Sequence, residues 1–232
     1  MSTLDTIRDL AKQALTVATL PNGLDNYLWD RAQRLLRNVE HICRLPELTK
    51  GGSQIDHLCL VAATYFSDAG LVGYLEKADG PGRLPAANEN GNGLLEFSAD
   101  VAEEKLAGAV EEARVEKISR IITESGSRFT RMVEAMILSD ARSLDDMGAT
   151  GIFNEFRRGA VGGKSVGDAV QSWKRKIDYK YWQARLKKGF RFEAVRKLAE
   201  CRLQTAEQFM KQLKVENAAE DLGELLVNSV FT

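Results

Sequence analysis

The chain has 232 residues, 44% of them hydrophobic, and sets 32 Lys and Arg against 33 Asp and Glu for a formal net charge of −1. A chain of this length can bury roughly 70% of its unfolded surface, and its neutral balance excludes a uniformly basic polyanion binder. Three scattered cysteines (Cys43, Cys59, Cys201) exclude a disulfide scaffold, two histidines exclude a multi-histidine metal site, and no run approaches the roughly 18 apolar residues of a membrane span.

In chain order, residues 3–18, 24–45 and 56–75 carry helical periodicity. The start, Met1-Ser-Thr-Leu-Asp5, lacks the basic and apolar regions of a secretory signal, so a cytoplasmic location is expected. His41-Ile-Cys43 and His57-Leu-Cys59 look like paired metal ligands, but on a helix residues i and i+2 lie about 200° apart. Partly buried structural side chains are therefore the preferred reading over a four-ligand zinc site. Asp79 to Gly93 is rich in Gly, Pro and Asn and reads as a long loop, either a lid or a disordered insert. Everything from Ala86 onward is free of proline, and Leu106, Val110, Ile118, Ile121 and Ile122 fall on one helical face, with Asp100 and Glu103 as a capping-box start.

Gly162-Gly-Lys-Ser165 ends like a phosphate-binding P-loop, but Arg158 stands where the first glycine belongs, and a turn with Ser165 capping the next helix is expected instead. Residues 174–202 hold eleven basic and three acidic residues, interleaved with aromatics, whereas 96–116 hold seven acids and two bases. The basic segment reads first as a solvated helical face whose aromatics anchor a core. Its alternative is an anion-binding surface carried by Lys174, Lys176, Lys187 and Lys188. Val195, Leu198, Ala199, Ala206, Phe209, Met210 and Leu213 form a further helical stripe. With no alternating strand pattern, the fold class is all-α. The domain reading is an N-terminal helix in 1–23, a single helical body over 24–216 with a flexible loop at 77–93, and a helical tail at 217–232 that is a candidate homodimer contact.

Asp140 lies inside an apolar helical context, where a carboxylate must be paired, hydrogen-bonded or metal-bound. Around it, Glu134-Ala135, Ile137, Asp140-Ala141, Leu144-Asp145, Gly148-Ala149, Gly151-Ile152 and Phe156 resemble the helix that carries the last metal-binding aspartate of HD-domain phosphohydrolases. The likeness is closest to their bacterial single-domain branch. Val61-Ala-Ala-Thr-Tyr-Phe-Ser-Asp68 resembles the helix that ends in that family's His-Asp pair, and the terminal Phe209-Met210-Lys-Gln-Leu213 helix also fits. The resemblance spans about residues 25–215. It implies a helical bundle in which histidines and aspartates hold one or two divalent metals that activate water against a phosphoester, commonly of a nucleotide.

Transferred residue by residue, the resemblance puts Asp68 at the paired aspartate and Asp140 at the last one. Ser67 stands in the paired histidine's place. The first histidine maps near Arg34, or Asn38 without a gap, and a fourth-helix ligand maps to Glu124. The aspartates persist while the imidazoles that transition metals favour are gone. Asp68, Glu124 and Asp140 would suit only a hard oxygen-seeking ion such as Mg²⁺ or Mn²⁺, with Ser67 orienting water. An Arg34–Asp68–Asp140 salt-bridge remnant without metal is the preferred expectation, with Asn38 and Asp145 beside it in the pocket. The functional reading is a catalytically impaired, phosphohydrolase-like protein that needs no cofactor and acts by binding or regulation, with a small phosphate-containing ligand as candidate partner and no membrane. The first alternative is an active Mg-dependent phosphohydrolase. A nucleic-acid or anionic-partner module ranks last.

Overall fold

A computed structural model describes residues 2–20, 23–50, 54–77 and 91–223. The described chain is all-α apart from one small sheet, and it divides into two compact units, Met1–Asp145 and Asp146–Thr232.

In the first unit, α1 (Thr3–Leu15) starts on a capping box in which Ser2 and Asp5 each bond the other's backbone amide, and it buries Ile7, Ala11 and Leu15 at i, i+4 and i+8. Strands β1 (Val17–Leu20) and β2 (Gly23–Asp25) pair antiparallel, an element without the alternation by which a strand is read from sequence. Polar contacts secure it: Asp25 accepts hydrogen bonds from the Thr19 amide and hydroxyl and from the Tyr27 amide. α2 (Tyr27–Ile42) follows, then a four-residue turn, α3 (Pro46–Thr49), with Pro46 at its first position.

α4 (His57–Phe66) is the centre of this unit. Every residue from Cys59 to Phe66 is buried, as expected of a helix that is apolar all round. It packs against α1, α2 and three later helices, α6 (Gly91–Leu106), α7 (Glu112–Glu124) and α8 (Val133–Asp145). Trp29 of α2 stacks on Tyr65 of α4 with ring centroids 5.4 Å apart. α5 (Gly70–Lys77) lies against α6 so closely that a methyl group on Gly70 would overlap the Leu94 carbonyl and the Ser98 hydroxyl. The Ser98 hydroxyl joins the two helices by accepting from the Gly70 amide and donating to the Leu94 carbonyl, each at 2.8 Å.

Two expectations change here. The loop expected at 77–93 is helical at Lys77 and from Gly91 onward, and its remainder, 78–90, lies outside the described residues. Asp100 and Glu103 do not begin a helix but sit inside α6, which ends at Leu106; the chain then turns through Gly108, at φ +75°, into α7. The apolar stripe from Leu106 to Ile122 therefore belongs to two packed helices and not to one.

In the second unit, α9 (Gly148–Val161), α10 (Val166–Asp178), α11 (Tyr181–Lys188) and α12 (Glu193–Asn217) gather around Ile152, Ala206 and Met210, with Phe156, Val170, Trp173 and Leu213 packed against them. Helix α9 precedes Gly162-Gly-Lys-Ser165 where a P-loop needs a strand, and Ser165 caps α10 in a capping box with Asp168, as its sequence context predicts. The buried stripe of α12 is Val195, Ala199, Leu203, Ala206 and Met210; Leu198 and Phe209, expected in it, are about half exposed. The tail expected from residue 217 begins inside the last turn of α12, and 224–232 lie outside the described residues. Among the described residues, no helix is long and apolar enough to cross a membrane.

Asp56 starts the central helix by accepting from the Cys59 amide at 3.1 Å, and it also meets the Lys117 ammonium at 3.3 Å. Burial alone would raise its carboxyl pKa, but these hydrogen bonds outweigh burial and hold it below its ordinary value. Asp56→Ala is expected to lower the unfolding free energy by about 0.5–2 kcal/mol in a denaturant titration, and Asp56→Asn by less, since it keeps a capping acceptor. Because the folded pKa is the lower one, the charge stabilises above the unfolded-state pKa and its contribution is lost as pH falls through the folded value. The wild-type advantage over Asp56→Asn should shrink in acid; an advantage that grows there contradicts this account. In the second unit, Gly148 has φ +73° and a methyl group on it would lie 2.9 Å from Cβ of Arg202. Gly148→Ala is expected to cost at least about 1–2 kcal/mol, read as a lowered thermal midpoint; an unchanged midpoint would refute that strain.

Candidate functional site

The site lies in the first unit, where α2, the end of α4 and α8 meet. α4 runs out of apolar residues at Phe66, and Ser67 and Asp68 follow in the turn that leads to α5. Both are buried. Ser67 is the C-terminal cap of α4, and its hydroxyl donates to the Thr64 carbonyl at 3.0 Å. It is tied to the backbone of its own helix.

Both oxygens of Asp68 are taken by guanidiniums. Nε of Arg31 donates to Oδ2 at 2.7 Å, and Nη2 of Arg142 donates to Oδ1 at 3.2 Å while Nη1 of the same side chain donates to the Ser67 carbonyl at 3.2 Å. Asp145, on the last turn of α8 and also buried, accepts a two-pronged bond from Arg34: Nε to Oδ1 at 2.5 Å and Nη2 to Oδ2 at 3.1 Å. Nη1 of Arg31 approaches the same Oδ2 at 3.7 Å and so links the two carboxylates. Bidentate, charge-assisted bonds of this kind are what a buried carboxylate requires to stay ionised.

The layering has a direction. The carboxyl side chains are nearly sealed, Asp68 at 4% and Asp145 at 1% exposure, whereas Arg142 and Arg34 keep 24% and 30%. Arg34 and Arg142 are thus the more exposed members of the cluster, whereas Arg31 is buried with the carboxylates.

Asn38 reaches the Ala141 carbonyl with its amide nitrogen at the margin of hydrogen-bond range, 3.5 Å. It therefore touches α8 one helical turn before Asp145. Asp140 is fully buried on the same helix and is engaged within the protein. Glu124, the expected fourth-helix ligand, ends α7 and is occupied elsewhere: Nε of Arg120 donates to it at 2.7 Å and the Thr130 hydroxyl at 2.5 Å. The Thr130 hydrogen bond first, and Arg120 next, hold its carboxyl below the ordinary range.

Among the described residues, no three His, Cys, Asp or Glu side chains gather in a way that could hold a metal ion. This corrects the Asp68–Glu124–Asp140 set, and it also applies to the two His-X-Cys pairs. Cys59 is buried and donates to the Arg114 carbonyl at 3.9 Å, and burial together with the Asp56 carboxylate pushes its thiol up to about 12. The divalent metal that the family resemblance implies does not fit the residues present. The imidazoles are missing, and both oxygens of Asp68 already carry cationic partners.

A further correction concerns the arginine. Arg34 does not pair with Asp68 and Asp140 as expected; it pairs with Asp145, and Arg31, one turn earlier on α2, takes Asp68. The structural cause is spacing. Residues i and i+3 share a helix face, so both guanidiniums point the same way, and each meets the carboxylate at its own level. Arg31 carries a signal in the sequence: it falls in the stripe Leu28, Arg31, Ala32, Leu35, Val39, Ile42, all buried, and an arginine there needs a carboxylate. Arg142 carries no comparable signal.

The basic segment lies in the second unit. Trp182 and Phe192 are buried, and Trp173 and Tyr181 pack on Trp182 with ring centroids 5.2 and 4.9 Å away. Lys176 bonds Glu155 at 2.6 Å and sits 5.4 Å from the Trp182 ring, so it is a packing cation. Lys174, Lys187 and Lys188 are exposed. Trp182 and Phe192 thus turn inward, whereas Tyr179 is 82% exposed.

No protein-family model matches the sequence, and no curated protein does. Solved structures do. Bacillus subtilis YpgQ in complex with ADP aligns over 92% of this chain and 94% of its own, with a TM-score of 0.59 at 21% identity. A Lactobacillus plantarum protein aligns over 94% and 97%, with a TM-score of 0.60 at 18% identity. The Lin1889 protein of Listeria innocua aligns over 94% and 98%, with a TM-score of 0.54 at 18% identity. At these identities the likeness is one of fold: this all-α chain is similar in fold to YpgQ and its bacterial neighbours over almost its whole length.

Proposed function

We propose that this chain is a phosphohydrolase-like protein of the HD superfamily in which arginines have taken the place of the metal, and that it acts by binding a small phosphate-bearing ligand and not by hydrolysing one. The observation that carries this reading is the pair of guanidiniums on Asp68. That carboxylate is the one the sequence resemblance assigns to the metal, and its charge is neutralised from within the chain. The outer placement of Arg34 and Arg142 suits an anion. The ADP complex of YpgQ makes a nucleoside diphosphate the first ligand class to test.

Calorimetric titration of the purified protein with ADP is expected to give saturable binding without added divalent metal. Arg34→Gln and Arg142→Gln should each weaken it by roughly 10- to 150-fold, the range of a charge-assisted hydrogen bond. Metal analysis should find no stoichiometric Fe, Mn or Zn. Stoichiometric metal that disappears in Asp140→Ala would defeat the proposal. So would turnover of nucleotides or other phosphoesters with Mg²⁺ or Mn²⁺ above an Asp68→Ala control, which would establish the active enzyme instead.

The same cluster predicts stability. Arg31→Met leaves buried carboxylates short of a partner and is expected to destabilise the fold by about 3–5 kcal/mol. Adding Asp68→Asn, which removes the uncompensated charge, should recover part of that loss. A double variant whose losses merely add would show that Arg31 and Asp68 are not coupled.

A further inference from the structure

The turn between α7 and α8 takes no part in the cluster just described, which lies about 18 Å away along α8. At its tip Phe129 is 89% exposed. One exposed apolar side chain is ordinary on a protein surface. Two features set this one apart.

The first is that its backbone is fixed on both sides. The Ser127 amide donates to the Glu124 carbonyl at 2.9 Å, and the Ser127 hydroxyl accepts from the Phe129 amide at 3.3 Å. The Thr130 hydroxyl donates to Glu124 and accepts from the Met132 amide at 3.1 Å. The second is charge. Arg128 and Arg131 flank the ring in sequence, both are exposed, and neither has a carboxylate partner among the described residues. Arg120, also exposed, is held beside them by Glu124, whose charge it cancels.

A solvent-facing ring on a hydrogen-bonded turn, flanked in sequence by guanidiniums without carboxylate partners among the described residues, matches the repeating unit of a single-stranded polynucleotide. A base stacks on the ring, and the phosphates on either side meet the arginines. Its neighbours in the turn, Gly126, Ser127 and Thr130, are not apolar, unlike the surroundings of a protein-binding hot spot. One phenylalanine is also too little apolar surface to anchor a protein on a membrane. Because the loop is already held in place, little ordering is needed on binding.

We infer that Ser127–Arg131 is a binding platform for single-stranded nucleic acid, with Phe129 stacking one base and Arg128 and Arg131 contacting its flanking phosphates. Duplex, whose bases are already stacked, binds more weakly.

The test is fluorescence anisotropy with a short labelled oligothymidylate, titrated with the full chain at several salt concentrations. Phe129→Ala is expected to weaken binding roughly 5- to 150-fold, the range measured for loss of one base–aromatic stack. Phe129→Tyr should bind as the wild type does, which separates stacking from a fold defect. Arg128→Gln with Arg131→Gln should lower the slope of log affinity against log salt by about 0.7 for each phosphate left without its arginine. Lys187→Gln with Lys188→Gln should change nothing. The inference is overturned if wild-type protein does not bind the strand, if Phe129→Ala binds as tightly as wild type, or if the lysine pair carries the affinity. It is also overturned if Phe129 instead governs binding to phosphatidylcholine–phosphatidylserine vesicles while the oligonucleotide stays unbound. ADP affinity should be unaffected by Phe129→Ala, so failure here leaves the arginine–carboxylate reading intact.

Discussion

The constraint on which the first unit depends is the charge of Asp68 at the end of its most buried helix. α4 is apolar on every side and so occupies the middle of the unit, which brings Asp68 into surroundings where an unpaired carboxylate costs several kcal/mol. The charge is met from two directions, by Arg31 of α2 and by Arg142 of α8. Each guanidinium bond sets a level on its own helix, so the register of α2 and α8 against α4 is held by polar geometry as well as by packing. Asp145 repeats the device one level on, with Arg34 on both oxygens and Arg31 shared between the two carboxylates. Removing any member leaves the others uncompensated, which is why the cluster behaves as one unit.

The helices are legible in the sequence where their apolar residues keep to one face. Ile7, Ala11 and Leu15 of α1 and Val195, Ala199 and Ala206 of α12 are such cases, and the Ser165–Asp168 cap is legible from its local sequence. The break between α6 and α7 is not, because Leu106 and Val110 continue a helical period across it, and only Gly108, free to take φ +75°, permits the turn. The β1–β2 pair is hidden for a related reason: its strands have only four and three residues and are secured by Asp25 accepting hydrogen bonds and not by alternating apolar residues. Periodicity reports burial on one face, and short elements secured by polar contacts carry no such period.

The site is legible in its acids and less so in its bases. Asp140 stands out because a carboxylate in an apolar helical setting is costly, and Asp68 and Asp145 are reached through the family resemblance. Arginine is a weaker signal, since its long stem is compatible with core or surface. Arg34 can be placed at the site through the family resemblance, but its partner cannot; Arg31, one turn before it on the same face, is marked only by the apolar stripe in which it falls. Glu124 shows the opposite error. Its place in the chain suggests a ligand, but the hydroxyl of Thr130, six residues later, claims it, and that contact depends on how the chain turns after α7.

The order of charge from inside to outside separates the two chemistries open to such a fold. A metal centre needs carboxylate oxygens turned toward the space the ion occupies, with the cation as the last layer added. Here Asp68 and Asp145 are sealed, their oxygens committed to nitrogen donors, and Arg34 and Arg142 are the members that retain exposure. A histidine placed at position 67 would not by itself make a metal site, because Arg31 and Arg142 would still occupy both oxygens of Asp68. The arginines would have to leave as well, and their departure would expose the buried charge that they neutralise. A cation entering this space would compete with the ion pairs that Arg31, Arg34 and Arg142 make with the buried carboxylates, whereas an anion would not.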